Sequence, residues 1–79
     1  MVTDVEQKIY EIAGFVFGIS PSSLDLDSST ETLKNWDSAK HIDFILALED
    51  EFKIEFDEEK VLEMLSLELV LKAVKELKT

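Results

Sequence analysis

Ser38 and His41 stand three residues apart, a spacing that on a helix sets both on roughly one face. A serine near a histidine is the pair from which hydrolases build a nucleophile. That chemistry also needs an oriented base, usually a third group to hold it, and an oxyanion hole. No glycine-rich elbow surrounds Ser38, and a chain of 79 residues has little room for a substrate cleft. Self-contained catalysis is therefore not expected. Asp25, Asp27 and Ser29 alternate as the ligands of an EF-hand calcium loop do. Such a loop wants Gly at its sixth position and Glu at its twelfth, and here those places hold Thr30 and Trp36. An acidic turn capped by Ser and Thr is the better reading. His41 is the only histidine and there is no cysteine, so no metal centre and no disulfide framework is expected. By motif alone Ser38 is a serine that helps start a helix; its hydroxyl in the first turn is also exposed, unhindered by Ala39 and open to covalent modification. A phosphodiester placed there would meet the free N–H groups and positive end of a helix.

The element that must hold Ser38 runs from Trp36 to Phe52. Asp37 is a good N-cap, Ser38 takes the first helical position, and the following residues contain no Gly, no Pro and only Ile42 and Ile45 as β-branched residues. The apolar positions form two stripes. Phe44, Ile45, Leu48 and Phe52 suit a face packed on a core. Ala39, Ile42 and Leu46 form a second line among Lys40, Asp43 and Asp50. It is either a more deeply buried face or an exposed docking line for a partner.

The rest of the chain reads as helices around this one. Thr3 to Glu6 fits a capping box. Val5, Ile9, Ile12, Ala13 and Val16 then repeat at helical spacing, with Phe15 and Phe17 widening the stripe and Gly18 as the stop. A long connection, 19–35, follows, with Ser20-Pro21 opening a single helical turn and Ile19, Leu24, Leu26 and Leu33 as anchors. Ile54 and Phe56 belong to an extended connection. Asp57-Glu58-Glu59 opens a short helix whose apolar side is Val61, Leu62, Met64 and Leu65. Ser66 caps a last helix with Leu67, Val70, Leu71, Val74 and Leu77 in register. The fold class is all-α: four helices, one domain over 1–79, with a long loop between the first two helices.

Charge narrows the partners. Eighteen acids against eight bases give a net charge of −10, which argues against nucleic acid and anionic membrane. Between Asp43 and Glu63 nine acids face two lysines, a net −7. Such a run is either a solvated face or a means of steering toward basic partners. The apolar runs are too short to span a bilayer, and the first residues carry no basic-then-apolar signal. A cytoplasmic monomer is the expectation.

Asp37-Ser38 at a helix start, followed by an Ile/Leu-rich acidic helix ending Ala-Leu-Glu-Asp-Glu-Phe, resembles the second helix of the acyl carrier proteins. The match centres on Trp36 to Phe52, and a looser one in helix placement covers nearly the whole chain. The resemblance implies a four-helix bundle with 4′-phosphopantetheine attached to Ser38 by a phosphopantetheinyl transferase, and Asp37 as cap and recognition residue. It implies acyl groups carried as thioesters and presented to separate acyl-processing enzymes with basic docking surfaces, the chain doing no chemistry itself. Ala39, Lys40, Ile42, Asp43, Leu46, Glu49 and Asp50 would then meet partners. Phe44, Ile45, Leu48, Val61, Leu62 and Met64 would line an acyl pocket.

Three positions depart from the family's common pattern: Ala39 where a large apolar residue is usual, Lys40 where an acid is usual, and Trp36 where a small residue is usual. The resemblance covers carriers of fatty-acid, polyketide and specialised lipid or cell-surface synthesis; these departures argue against generic fatty-acid synthesis and point to a specialised carrier with dedicated partners. Two other readings stay open. One is a peptidyl or aminoacyl carrier, and the other is an unmodified acidic module that docks a basic partner.

Overall fold

The computed structural model describes residues 4–78. Four α-helices follow one another: α1 Asp4–Phe17, α2 Ser38–Phe52, α3 Glu58–Glu63 and α4 Leu67–Lys78, with one 3₁₀ turn at Pro21–Ser23. The described residues contain no strand, only an isolated bridge between Ser29 and Ser66. The fold is all-α, as the periodicity predicts. The capping box expected at Thr3 falls outside the described residues.

Helix α1 packs against α2 and α4. One continuous core joins Ile9, Ala13 and Phe17 of α1, Phe44, Ile45 and Leu48 of α2, and Leu67, Val70 and Val74 of α4. Leu24 and Trp36 come into it from the long connection, and Met64 from the end of α3. Three expectations are corrected. Phe15, expected to widen the apolar stripe of α1, is 89% exposed. It lies two residues from the buried Phe17, and two residues on a helix are just over half a turn, so the two rings point to opposite sides. Leu77, expected on the buried stripe of α4, lies in the last turn and is exposed. Helix α3 ends at Glu63, so Met64 and Leu65 lie beyond it, Met64 buried and Leu65 exposed.

The ends of α1 and α2 are built alike. Gly18 takes a left-handed backbone with φ 71°, and Lys53 does the same at φ 57°. In each case the next residue donates back five positions: Ile19 N–H to the Gly14 carbonyl at 3.0 Å, and Ile54 N–H to that of Glu49 at 3.2 Å. These are Schellman closures, which satisfy carbonyls the helix itself leaves over.

The long connection is tied to α4. Leu67 N–H donates to the Ser28 carbonyl at 2.9 Å, Glu68 N–H to Leu26 at 3.2 Å, and Thr30 N–H to the Leu65 carbonyl at 3.0 Å. Two of the N–H groups that the first turn of α4 leaves free are thus taken by the connection. Ser66 Oγ accepts a third, from Leu69, at 3.3 Å. Within the connection Asp25 Oδ1 accepts the Asp27 N–H at 2.9 Å and the Ser28 hydroxyl at 3.4 Å. The Asp25 carboxylate therefore shapes its own turn.

Gly14 sits where the chain doubles back over α1. A Cβ there would lie 2.7 Å from the Ile19 carbonyl oxygen and 3.0 Å from Pro21. Helix propensity alone would have Gly14→Ala stabilise by about 1 kcal/mol. The contact with backbone reverses the sign, and we expect a loss of about 1–3 kcal/mol in urea denaturation. A gain would show that the turn moves away freely.

Tyr10 is buried and its hydroxyl donates to Glu6 Oε2 at 2.7 Å. Burial, with Glu6 second, pushes the phenol from 10.0 up to about 12. The folded state thus favours the neutral phenol. That contribution is complete below pH 10.0 and is lost as pH rises through about 12. Denaturation midpoints of wild type should fall more steeply over that interval than those of Tyr10→Phe. Parallel curves would assign alkaline loss to other groups.

Candidate functional site

Asp37 precedes α2 with extended backbone, and its Oδ1 accepts the Lys40 N–H at 2.9 Å. Ser38 is the first residue of α2 and is exposed. Its hydroxyl therefore stands at the positive end of a fifteen-residue helix. Beside it lies an open cleft of about 540 Å³ between the start of α2 and α3. Its polar lining residues are Thr30, Asp37, Ser38 and His41, its apolar ones Ile42, Val61, Leu62 and Leu65, and Trp36 also lines it.

Trp36 is 3% exposed. Its ring stacks on Phe17, centroids 5.0 Å apart, and meets Phe44 edge-on at 5.6 Å. An indole N–H can only donate, and here it donates to His41 Nδ1 at 2.9 Å. Accepting there leaves the ring proton on Nε2, which donates to the Val61 carbonyl at 2.7 Å. A chain of two hydrogen bonds thus runs from the residue before Asp37, through α2, to α3. With both nitrogens engaged, His41 has no lone pair to offer Ser38. The arrangement can present a hydroxyl; it does not activate one.

The second apolar stripe of α2 is exposed. Ile42 is 50% and Leu46 59% exposed, and Ala39, Lys40, Asp43 and Asp50 are exposed as well. Glu49 differs, because its Oε2 accepts the Phe56 N–H at 2.8 Å and so fastens the extended connection after α2. Asp50 lies on the side of α2 facing α1, beside Lys8, Glu11 and Phe15. Of the residues expected to meet partners, Glu49 is thus engaged by the connection, and Asp50 borders α1. Those expected to line an acyl pocket also divide. Val61 and Leu62 line the cleft at Ser38, Leu62 being 69% exposed, whereas Phe44, Ile45, Leu48 and Met64 are buried in the core.

Trp36, Thr30 and Leu65 were not among the expected site residues. Trp36 could have been found. It stands immediately before the cap Asp37, and His41 is the fourth helical residue, the two positions that form a hydrophobic staple. Thr30 and Leu65 are brought together by one backbone hydrogen bond between segments remote in sequence, for which no local signal exists.

Among the described residues no cluster of His, Cys, Asp and Glu is placed to hold a metal ion, and no helix is long and apolar enough to cross a membrane. No family model matches the chain.

Two acids of α2, Glu49 and Asp43, are expected to behave differently. Removing the Glu49 carboxylate leaves the Phe56 N–H without its partner, and Glu49→Ala should cost about 1–2 kcal/mol. Asp43→Asn only relieves repulsion in the acidic run and should leave the melting temperature unchanged or raise it. Equal effects in thermal denaturation would show that the Glu49 hydrogen bond contributes nothing.

Proposed function

We propose that this chain is an acyl carrier whose 4′-phosphopantetheine is attached at Ser38, within an acyl-carrier-like four-helix bundle. The observation that carries the reading is the placement of Ser38. Its exposed hydroxyl is the first group of a long apolar and acidic helix, held by the Asp37 cap, and it opens onto a cleft. The residues suit the group. A phosphodiester at Ser38 would lie at the helix N-terminus, where the dipole favours negative charge, while the Asp37 carboxylate, which already takes the Lys40 N–H, opposes it locally and serves as cap and recognition residue. When bound, the group supplies a flexible arm whose terminal thiol holds an acyl chain as a thioester. Asp37 fixes the start of α2, and the Trp36–His41–Val61 chain fixes α2 against α3. The partners are a phosphopantetheinyl transferase and acyl-processing enzymes with basic docking surfaces. The exposed Ile42 and Leu46, flanked by Asp43, offer such enzymes an apolar line within an acidic field.

That same line supports a second reading, an unmodified acidic module that binds a basic partner through α2. Mass separates the two. Incubation with coenzyme A and a broad-specificity phosphopantetheinyl transferase should add one phosphopantetheine to the wild type and none to Ser38→Ala. Ser38→Ala should fold as stably as the wild type, because the Asp37 cap is intact. Modification of Ser38→Ala would move the site to another serine, and no modification of either would leave the binding module.

A further inference from the structure

The long acyl chains of lipid synthesis need an apolar interior to escape water, and the cleft at Ser38 is not such an interior. We infer that the cargo of this carrier is a short acyl group that stays in the outer cleft, and that the Trp36–His41–Val61 strap keeps the core closed to it. The inference rests on the carrier reading above and names the substrate class for the same site.

Inward from the cleft stands the Trp36 ring, against Phe17 and Phe44, with its N–H tied to His41 and His41 tied to the Val61 carbonyl. Behind it Phe44, Leu48 and Met64 are fully buried, and none of the three lines the cleft. A chain passing between α2 and α3 would have to break both hydrogen bonds of the strap and displace a packed aromatic cluster. Burial of its methylenes is the only return, and that return grows with length. A short chain gains too little to open the strap. Outside, the apolar wall is brief. On α2 it is Ile42 alone, one turn beyond Ser38, and Leu46 a turn further does not line the cleft. Val61, Leu62 and Leu65 face it from the other side. The cleft is open and Leu62 and Leu65 are themselves exposed, so a chain folded back along it would stay in contact with water on one side, a cost that grows with its length.

The test is methyl NMR of the phosphopantetheine-modified protein carrying butyryl, hexanoyl or dodecanoyl groups, with loading verified by intact mass. The expected result is that shifts on acylation fall on Ile42, Val61, Leu62 and Leu65, while Leu48, Met64 and Val70 hold their positions with all three. In Trp36→Phe, which keeps a ring and loses the N–H, and in His41→Ala, which loses both hydrogen bonds, the dodecanoyl chain should begin to shift Leu48 and Met64. Two variants are used so that one failing to fold leaves the other. Shifts of Leu48 and Met64 in the dodecanoyl wild type would overturn the inference while leaving the carrier reading intact. A core still closed in both variants would overturn the role of the strap. A wild type that takes up no phosphopantetheine would overturn the carrier reading itself, and this inference with it.

Discussion

A buried indole must find an acceptor for its N–H, and much of this small bundle is arranged around that requirement. Trp36 brings a large apolar surface into a core that 79 residues can only just assemble. Its N–H, left unpaired, would cost about 1–3 kcal/mol, a sizeable fraction of the roughly 4–12 kcal/mol typical for a chain of this length. His41 removes that cost. In doing so it is fixed as the tautomer protonated on Nε2, and that proton in turn reaches the Val61 carbonyl. One unsatisfied donor thereby joins the end of the long connection, the first turns of α2 and the short α3. Helix α3 has six residues and none of them is fully buried, so it is in no position to hold itself by packing alone.

The long connection would be an entropic liability if it merely spanned the gap between α1 and α2. It avoids this by giving backbone carbonyls to the start of α4 and two apolar residues, Leu24 and Trp36, to the core. At its far end Asn35 Nδ2 donates to the Phe17 carbonyl at 2.9 Å, closing the last turn of α1. The connection is therefore a packed layer that caps two helices, and Ser38 emerges directly from its end. Ser38 thus follows a packed and hydrogen-bonded segment while remaining exposed itself.

The helices α1, α2 and α4 were legible because their apolar residues repeat at helical spacing, with Gly18 stopping α1 and Asp37 and Ser66 capping α2 and α4. Asp37 before a run free of Gly and Pro marks both the start of α2 and the position of Ser38. Legibility fails where neighbours distant in sequence decide the outcome. Gly14 looks like an ordinary helical residue until Pro21 and the Ile19 carbonyl arrive against it. Leu62 and Met64 are both apolar residues of one short segment, yet Leu62 faces out and Met64 turns in. A six-residue helix is too short for periodicity to set its face. Two apolar stripes on α2 could not be ranked from spacing alone. The arrangement of α1 and α4 decides that Phe44, Ile45 and Leu48 are covered and that Ile42 and Leu46 are not.

The acidic run from Asp43 to Glu63 combines two kinds of carboxylate, which explains how a net −7 stretch can fold at all. Glu49 holds the Phe56 N–H, and Asp57 caps α3 by accepting the Lys60 N–H at 2.8 Å. Glu58 and Glu59 lie at the favourable positive end of that helix. For these acids hydrogen bonds and dipole offset the repulsion, and their charge serves the fold first. Lys60, one of the two lysines in the run, reaches Glu76 of α4 at 3.4 Å, which weakens its screening of the acids around it. Asp43 belongs to the other kind: exposed, and beside Ile42 and Leu46 on the helix surface. Its field reaches outward over a distance that salt shortens to about 8–10 Å. Exposed apolar residues accompany that charge on the same helix, Ile42 and Leu46, so the outward-facing part of α2 combines an acidic field with apolar surface, whereas the acids tied to backbone N–H groups serve the fold.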